Sequence, residues 1–370
     1  MGFVSLKTVA FRNLFDIEVD VRGKDIFLVG ENGQGKSNFL EALYFCSYAS
    51  SFRGGRDKDL VRNGERDCSA AVSLDKALYQ TVNVAFRDGK KTITLDGKQV
   101  EDRKELLSVA PSIVFCHEDM DFVAGTPERR RWFFDQCRSL WDVLYLEDLR
   151  KYRHVLKSRN TLLRGNSSGQ GFTNKCSLGE FMTTLDALDP LLAQYGLELT
   201  AKRRETAEEF SLVFEPLYRE ISGIAGIGVK SLPSWKEENL QDIIAHLARR
   251  RENDISLGIS LSGPHRDRYL FTREGEEFSG KASTGQRRLL ALLLRIAQTK
   301  VFSERTGKKP VLLLDDVLLE LDGKKRQTFL SVMPEYEQAF YTFLPGENYE
   351  SYSKSDTIVY YMDNGQVRRE

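Results

Sequence analysis

The segment from Gly30 to Leu40, GENGQGKSNFL, constrains the fold of this chain more than any other stretch. It follows the apolar run Asp25–Val29 and leads into Leu40–Leu43, so a strand, a glycine-rich turn and a helix are predicted in succession. The spacing G-x-x-x-x-G-K-S fits a loop whose backbone N–H groups point at a phosphate, beside the positive end of the following helix. Residues 30–37, here called the phosphate loop, therefore predict a nucleotide site. The alternative is a glycine turn that happens to contain a lysine.

The predicted nucleotide contacts run through the phosphate loop into the helix: Gly30, Glu31, Asn32, Gly33, Gln34, Gly35, Lys36, Ser37 and Asn38. We expect Lys36 to reach the β- and γ-phosphates and the Ser37 hydroxyl to bind Mg²⁺. Such a loop alone does not distinguish kinases, GTPases, helicases and transporter motors.

A pair of acids follows the apolar run Val311–Leu314. Four consecutive apolar residues are typical of a central parallel strand covered on both faces, and ligands bind beyond the carboxyl ends of such strands. We expect Asp315 to hold Mg²⁺ and Asp316 to orient the attacking water. The alternative is that one of these aspartates only caps a following helix.

A second anion site is predicted at Ser283-Thr284-Gly285-Gln286, which opens the helical pattern Arg287–Thr299. The alternative, a serine that only caps the helix, is the more common case for an isolated motif. The order along the chain favours the first interpretation: the phosphate loop, a long insertion, Ser-x-Gly-Gln, and then the acid pair. This is the order of ATP-binding-cassette (ABC) proteins, in which the signature serine of one subunit reaches the γ-phosphate held by the other.

The remaining sequence predicts an α/β unit that is interrupted and later completed. Strands are expected in the first part of the chain, helical periodicity dominates from about Pro127 to Arg251, and Arg164–Gly171 is predicted to be a loop between helices. The strands are expected at Val4–Phe11, Ile17–Val21, Ile26–Val29, Val82–Phe86, Thr92–Leu95 and Ser112–Cys116, with a hairpin turn at Asp88-Gly89.

Composition limits the classes of function. The chain has 370 residues with 54 basic and 54 acidic side chains, so nucleic acid would have to bind through local patches. Its five cysteines show no C-x-x-C pair, and neither a disulfide framework nor a zinc site is indicated. No secretory signal or apolar run of membrane-spanning length is present, and the expectation is a cytoplasmic protein.

Several longer segments resemble the RecF family of bacterial recombination mediators, relatives of SMC and Rad50 heads. They are FRN (Phe11–Asn13), NGQGKSNFLEAL (Asn32–Leu43), SFRGGRDKDLVRNGE (Ser51–Glu65), VFCHEDMDFVAGTPERRRWFFD (Val114–Asp135), GPHRD (Gly263–Asp267), STGQRR (Ser283–Arg288) and LLLDDVLLELD (Leu312–Asp322). The resemblance covers nearly the whole chain. It implies an ABC-type, P-loop ATPase head, residues 1–118 and 256–370, with an inserted helical arm domain, residues 119–255.

By this resemblance the expected activity is a weak, DNA-stimulated ATPase with ATP and Mg²⁺ as cofactors. ATP would close a homodimer on double-stranded DNA near single-strand gaps, with Asp316, Lys36 and Ser283 as catalytic groups and RecR and RecO as partners. The chain departs from the family pattern at Leu319, where a serine is usual, and at His117, where a proline is usual. No histidine follows the strand Ala339–Thr342, which fits a slow hydrolase.

Three basic segments are candidates for DNA contact. The residues expected to bind the duplex backbone are Arg53, Arg56, Arg150, Lys151, Arg153, Lys157 and Arg159, with a further cluster at Arg129–Arg131. A basic run is more often only a solvated helix face. Contacts of this kind would be independent of sequence and sensitive to salt.

Two other functions remain open at this stage. A nucleotide-binding subunit of an ABC transporter would bind a membrane partner and usually carry a switch histidine, and it would leave the basic segments unexplained. A P-loop kinase for a small molecule would act as a monomer and would leave Ser-x-Gly-Gln without a role.

Overall fold

The structure is a computed structural model that describes residues 2–75, 77–165, 177–318 and 323–369. The chain divides into two compact units. The first contains Met1–Met120 and Ala291–Glu370, and the second contains Asp121–Leu290.

Secondary structure covers most of the described chain. The strands are β1 (Phe3–Val9), β2 (Ile17–Asp20), β3 (Asp25–Val29), β4 (Cys68–Leu74), β5 (Thr81–Arg87), β6 (Lys90–Leu95), β7 (Lys98–Val100), β8 (Ser112–Phe115), β9 (Ile227–Leu232), β10 (Arg268–Arg273), β11 (Glu276–Glu277), β12 (Val311–Leu314), β13 (Gln338–Phe343), β14 (Thr357–Asp363) and β15 (Gln366–Arg369). The helices are α1 (Lys36–Tyr48), α2 (Met120–Ala124), α3 (Pro127–Ser139), α4 (Val143–Arg164), α5 (Leu178–Ser222), α6 (Leu240–Leu257), α7 (Thr284–Thr306) and α8 (Gly323–Ser331).

A six-stranded sheet in the first unit carries the nucleotide-binding elements. Its order is β15-β14-β3-β13-β12-β8, and every neighbouring pair is parallel except β14 and β15. All residues of β3, β12 and β13 are buried, as expected for strands covered on both faces. The predicted central strand Val311–Leu314 is thereby confirmed, and the carboxyl ends of β3 and β12 lead directly into the phosphate loop and the acid pair.

A second six-stranded sheet in the same unit is antiparallel, with the order β2-β1-β4-β5-β6-β7. The predicted hairpin turn is confirmed, since Asp88 and Gly89 take positive φ angles of 47° and 74° between β5 and β6. Lys90 and Lys91 belong to β6 rather than to the turn.

The second unit combines long helices with a three-stranded sheet of order β11-β10-β9. Helix α5 has 45 residues and contains Pro190 and Pro216. At 1.5 Å per residue it is at most about 68 Å long. Strand β9 interrupts the region that was predicted to be helical. Strand β9 pairs with β10, and in this pairing Leu232 lies opposite Arg268, which is 36 residues further along the chain. No local sequence pattern therefore predicts the pair.

The observed units differ from the predicted segments at the second boundary. Residues 256–290 pack in the second unit, because β10 pairs with β9 and β11. Of the predicted loop Arg164–Gly171, Arg164 ends helix α4 and Gly165 caps it, while residues 166–171 lie outside the described residues, as does Leu319. Within the described ranges, no helix combines the length and apolarity needed to cross a membrane.

Candidate functional site: a nucleotide phosphate site

Glycine is required at two positions where the phosphate loop joins its neighbours. A Cβ on Gly30 would lie 2.5 Å from the Met362 carbonyl oxygen on β14, a separation that real Cβ atoms do not reach. Gly35 has φ 107°, in the region that favours glycine, and it is the residue immediately before helix α1. The loop therefore turns sharply from a buried strand into the N-terminus of a helix, which is the geometry predicted for binding phosphate.

Lys36 folds back over the phosphate loop. Its Nζ donates to the carbonyl oxygens of Gly30 at 2.7 Å and Glu31 at 3.0 Å, and the side chain is 4% exposed. The ammonium group is thus fixed at the loop by uncharged acceptors. A phosphate group bound to the loop would give it a charged partner.

Side chains from other parts of the first unit support the phosphate loop. The Asn13 amide donates to the Gly33 carbonyl at 3.1 Å and accepts from the Asn38 amide at 2.7 Å. Gln34 accepts a hydrogen bond at its backbone carbonyl from the Gly365 N–H at 2.9 Å. The Asn364 N–H donates to the Gln34 side-chain oxygen at 2.5 Å, so the β14–β15 turn holds the other side of the loop.

A buried carboxylate stabilises the first turns of α1. Glu41 is fully buried, and both of its oxygens accept from the Arg12 guanidinium at 2.9 Å. The Ser51 hydroxyl donates to the same carboxylate at 2.5 Å. Arg12 and Asn13 of the FRN motif thus act as supports for the phosphate loop and its helix.

Asp315 follows β12 directly and lies beside Ser37, whose hydroxyl acts to lower the pKa of this carboxyl. Burial and the neighbouring Asp316 charge raise the pKa of Asp315 to about 6, against the opposing effects of Ser37 and Arg53. The Oδ1 atom of Asp315 is buried and has no hydrogen-bond partner among the described residues. A hydroxyl beside an unsatisfied carboxylate oxygen is a donor set that suits Mg²⁺, so the residues present fit the predicted ion.

Asp316 is held by a contact with Thr342 that could not be expected from local sequence patterns. Its backbone adopts φ 55°, its N–H donates to Thr342 Oγ1 at 2.7 Å, and the Thr342 hydroxyl donates to Asp316 Oδ1 at 2.9 Å. Thr342 is 3% exposed on the adjacent strand β13. The positive φ turns the chain away from the strand direction immediately after Asp315, and Thr342 fixes the second carboxylate in the resulting position.

Arg53 lies at the phosphate site, although the sequence suggested it as a DNA contact. Its Nη1 donates to Asn38 Oδ1 at 2.9 Å, and its Nη2 is 4.0 Å from Asp315 Oδ2. The side chain is 28% exposed. Arg53 and Lys36 thus bring positive charge to the phosphate site, and Asp315 and Asp316 bring negative charge to it.

Ser283 and Gln286 form a reciprocal cap at the start of the 23-residue helix α7. The Ser283 N–H donates to Gln286 Oε1 at 2.8 Å, and the Gln286 N–H donates to Ser283 Oγ at 3.3 Å. Ser283, Thr284 and Gly285 are exposed, and a Cβ added to Gly285 would meet no atom within 4 Å. The capping role that was weighed for this serine is present, and the helix end is also open to solvent.

The predicted DNA contacts fall into three groups. Arg56 and four residues of α4 are exposed: Arg150, Lys151, Arg153 and Lys157. Arg53 is at the phosphate site. The prediction for Arg159 is wrong, because this side chain is fully buried and forms ion pairs with Asp189 at 2.8 Å and Asp254 at 2.7 Å.

Sequence reasoning missed the supporting residues of the site. Arg12 and Asn13 could have been proposed as site residues, since they belong to the FRN motif, but the sequence does not indicate which groups they contact. Thr342 could not have been proposed, because threonine is common inside strands. Arg53 was assigned from its charge alone, and charge does not distinguish a phosphate of ATP from a phosphate of DNA.

Comparison with known proteins matches this geometry to one family. The family model described as RecF/RecN/SMC N terminal domain matches residues 4–367. The protein described as DNA replication and repair protein RecF from Treponema pallidum (strain Nichols) is 40% identical over 365 residues, which is 97% of this chain and 99% of that protein.

Solved structures agree. One described as the recombination mediator protein RecF-ATP in the RecFOR pathway has a TM-score of 0.86 at 27% identity, and covers 100% of this chain and 97% of that chain. An Smc head bound to the C-winged helix domain of ScpA has a TM-score of 0.55 at 16% identity, covers 100% of this chain and 97% of that chain, and shows the fold alone. The predicted ABC-type head fold is thereby confirmed. On the family model and the full-length relative, this chain belongs to the RecF family.

Proposed function

We propose that this protein is an ATP-dependent DNA clamp that acts in recombinational DNA repair and in the maintenance of replication forks. One observation carries the proposal: a chain of this family has a phosphate loop with Lys36 folded over it and, on the same chain, an exposed helix end with the signature sequence. Two comparisons support this role over that of a transporter subunit or a small-molecule kinase. A relative is named a DNA replication and repair protein, and the name of a related structure includes ATP.

ATP binding uses the phosphate loop and its flanking residues. The loop N–H groups and Lys36 hold the β- and γ-phosphates, and Ser37 with Asp315 holds Mg²⁺. When bound, Mg²⁺ neutralises charge on the β- and γ-phosphate oxygens. Among the described residues, no group of three His, Cys, Asp or Glu side chains is placed to hold a metal ion. Ser37 and Asp315 would hold Mg²⁺ together with oxygens of the bound nucleotide.

Closure of a homodimer places the α7 end of one subunit on the γ-phosphate held by its twin. ATP drives this closure only if it binds the dimer more tightly than the separated subunits, and a nearly complete switch needs about 5 kcal/mol of difference. Charged contacts between a helix end and phosphate, made twice in a symmetric dimer, have a suitable size. Ser283 therefore contributes to a site that is incomplete in one subunit.

Hydrolysis opens the dimer. Water attacks the γ-phosphorus, the bond to the β–γ bridging oxygen breaks, and ADP and phosphate are formed. Asp316, positioned by Thr342, orients and polarises this water. Loss of the γ-phosphate removes the contacts to the partner's Ser283-containing cap, and turnover is slow and stimulated by DNA.

Double-stranded DNA near single-strand gaps is the proposed partner, held through exposed basic residues such as Arg56, Lys151 and Lys157. The clamp helps to load recombinase, and RecO and RecR are its proposed protein partners, in line with the RecFOR pathway named for the related structure.

The decisive experiment compares Ser283→Arg with Ser177→Arg by analytical ultracentrifugation. Both serines are exposed helix caps that form reciprocal hydrogen bonds with the third helical residue, Gln286 in one case and Glu180 in the other. Each substitution removes a cap, at a cost of about 1 kcal/mol.

We expect wild-type protein and Ser177→Arg to dimerise with ATP and to remain monomeric without it. Ser283→Arg should bind ATP with unchanged affinity and remain monomeric. A normal ATP-driven dimer in Ser283→Arg, or a wild-type protein that stays monomeric with ATP and Mg²⁺, would refute the proposed trans site.

A further inference from the structure

A pocket in the second unit joins two motifs that the ATP site does not use. It has a volume of about 400 Å³ and is lined by one face of α3, one face of α4, Arg203 of α5 and the turn that contains His265 and Arg266. The α3 face belongs to the ERRRWFFD segment and the turn belongs to GPHRD, which are more than a hundred residues apart in sequence. A volume of this size suits a ligand of nucleotide dimensions.

The base of this pocket is rigid. The Arg203 guanidinium donates to both oxygens of Asp135, at 2.9 and 2.8 Å, and lies 3.0 Å from Asp267. Tyr145 donates its hydroxyl to Asp135 at 2.5 Å. Burial lowers the pKa of His265 to about 4, so this imidazole is neutral, with Nδ1 2.7 Å from the Tyr152 hydroxyl. Asp135 and Asp267 both pair with Arg203, and Asp135 also forms a longer ion pair with Arg153.

Positive charge remains at the mouth of the pocket. Arg131 Nη1 donates a hydrogen bond to the backbone carbonyl of Asp267 at 2.7 Å, and this acceptor is uncharged. Burial and the nearby charge of Arg203 lower the pKa of the Arg131 guanidinium. Arg153 is 58% exposed, with its Nη2 3.7 Å from Asp135. Arg266 is exposed and its side chain forms no hydrogen bond or ion pair with the described residues. Only Glu128, exposed at the rim, adds a further carboxylate.

An aromatic surface lies beside these arginines. Trp132 is 39% exposed and stacks on Phe122, with ring centroids 5.8 Å apart and planes inclined by 26°. Tyr152, Leu149 and Leu156 extend the apolar wall on α4. A supported indole with an open face, next to guanidinium groups, is the combination that binds single-stranded nucleic acid: a base stacks on the ring and its phosphate meets the arginines.

From this arrangement we propose that the pocket binds one unpaired nucleotide of a DNA strand, with the base against Trp132 and the phosphate between Arg131, Arg153 and Arg266. This inference rests on the proposed function as a DNA clamp and deepens it, because it assigns a site that distinguishes a single-strand gap from continuous duplex. The pocket is separate from the ATP site, whose phosphate loop belongs to the first unit.

The test measures fluorescence anisotropy of labelled DNA with the full chain, with ATP, with ADP and without nucleotide. The probes are a duplex with a single-stranded extension and a blunt duplex of the same total length, each with and without an equimolar amount of deoxyadenosine monophosphate. The variants are Trp132→Ala and Arg266→Gln, with Arg268→Gln as the matched control. Arg268 is also exposed and lies two residues from Arg266, but it does not line the pocket. Thermal unfolding and ATP binding of each variant verify that it is folded.

We expect Trp132→Ala to weaken binding of the extended duplex about fivefold or more, the low end of what stacking of one base contributes. Arg266→Gln should also weaken it and lower the salt slope by about 0.7. Both variants should bind the blunt duplex like the wild type, and Arg268→Gln should match the wild type on both probes.

Three results would overturn the inference: unchanged binding of the extended duplex by both pocket variants, equal losses on both duplexes, or displacement of the extension by the free mononucleotide at equimolar concentration. If the wild type binds duplex only with ATP, the proposed function survives any of these. If it binds neither duplex in any nucleotide state, the proposed function and this inference both fail.

Discussion

Lys36 shows at the scale of one residue how the site is prepared for its ligand. The ammonium group is almost completely buried, yet its acceptors are two backbone carbonyl oxygens and no carboxylate. Burying a charge without a charged partner is costly, and a triphosphate would remove that cost on binding. The geometry thus favours the bound state over the empty one.

The first prediction concerns this lysine. Lys36→Met should weaken ATP binding at least tenfold, because it removes a charge-assisted contact worth about 1.5–3 kcal/mol. Lys90→Met, at an exposed lysine of β6, should leave ATP affinity unchanged. Isothermal titration with ATP and Mg²⁺ measures both, and equal affinities in the two variants would show that the loop does not hold the triphosphate.

Thr342 gives a second prediction at this scale. Thr342→Val should lower the steady-state ATPase rate while ATP affinity is kept, because it removes the hydroxyl that positions Asp316. The hydrogen bonds of this hydroxyl go to Asp316 and Leu314 and not to the phosphate loop. The partly buried Asp316 N–H loses its acceptor, which should cost about 1 kcal/mol of stability.

Thr342→Ser is the matched control, since it restores the hydroxyl and should recover most of the rate. Phosphate release at saturating ATP measures turnover, and chemical denaturation measures stability. If valine and serine give equal rates, Thr342 serves the fold alone and does not position Asp316.

At the scale of elements, the helices of the second unit are joined by a buried ionic network. Arg159 on α4 contacts Asp189 on α5 and Asp254 on α6, and Asp189 is also bound by Arg251 at 2.7 Å. The Ser260 hydroxyl accepts from Arg159 at 2.8 Å. The most basic stretch of the sequence thus contains a residue that holds three helices together.

Arg159→Ala should therefore destabilise the protein by about 3–5 kcal/mol, because it leaves buried carboxylates without their partner. Lys157→Ala, on the exposed side of the same helix, should change stability by less than about 0.5 kcal/mol. Urea denaturation of the full chain, followed by circular dichroism, compares them. A loss below 1 kcal/mol in Arg159→Ala would mean that the network contributes little.

Patterns of short range predicted the elements well. The phosphate loop, the strand Val311–Leu314 and the Asp88-Gly89 turn follow from residues close in sequence, whose conformational preferences do not depend on the rest of the fold. The partner of β9, the burial of Arg159 and the position of Arg53 depend on packing between distant segments. The sequence shows the charge and size of these residues but not which residues pack against them.

The candidate site divides in the same way. Lys36, Ser37, Asp315 and Asp316 were predicted from the loop motif and from the acid pair after an apolar strand, and the structure places Asp315 beside Ser37 and Arg53. Thr342 could not be predicted, since its role arises only when β13 lies beside β12. Gln34 was predicted to contact nucleotide, but its contacts to Asn364 and Gly365 come from a turn 330 residues away.

At the scale of the whole molecule, the balance of charge means that the proposed DNA binding would be a local property. With 54 basic and 54 acidic side chains, no overall field attracts a duplex. In the proposed clamp, exposed basic residues on α4 and in the segment around Arg56 would supply the attraction. Binding should therefore be steeply dependent on salt in spite of the neutral net charge.

For about five phosphate contacts, the logarithm of the association constant should fall against the logarithm of salt concentration with a slope of about −4.5. Anisotropy titrations of a duplex with the ATP-bound protein, over a series of salt concentrations, measure this slope. A nearly flat dependence would contradict backbone binding through these residues.

The same assay with Asp316→Asn addresses release. The variant should retain DNA after addition of ATP for much longer than the wild type, because in the proposed cycle the dimer opens only on hydrolysis. Its ATP affinity should be unchanged. Competition with excess unlabelled duplex measures the lifetime. Rapid turnover and release by Asp316→Asn would show that Asp316 is not the group that orients the water.

The hydrogen bonds from the β14–β15 turn to Gln34 have a consequence for the synthesis of the protein. The turn follows Gln34 by 330 residues, so the ribosome needs roughly 20–70 s to add the turn after it has added Gln34. During that interval the phosphate loop has been synthesised but lacks these hydrogen bonds. We expect the growing chain to bind ATP less tightly than the finished protein, because the phosphate loop lacks these two hydrogen bonds until Asn364 and Gly365 have been added.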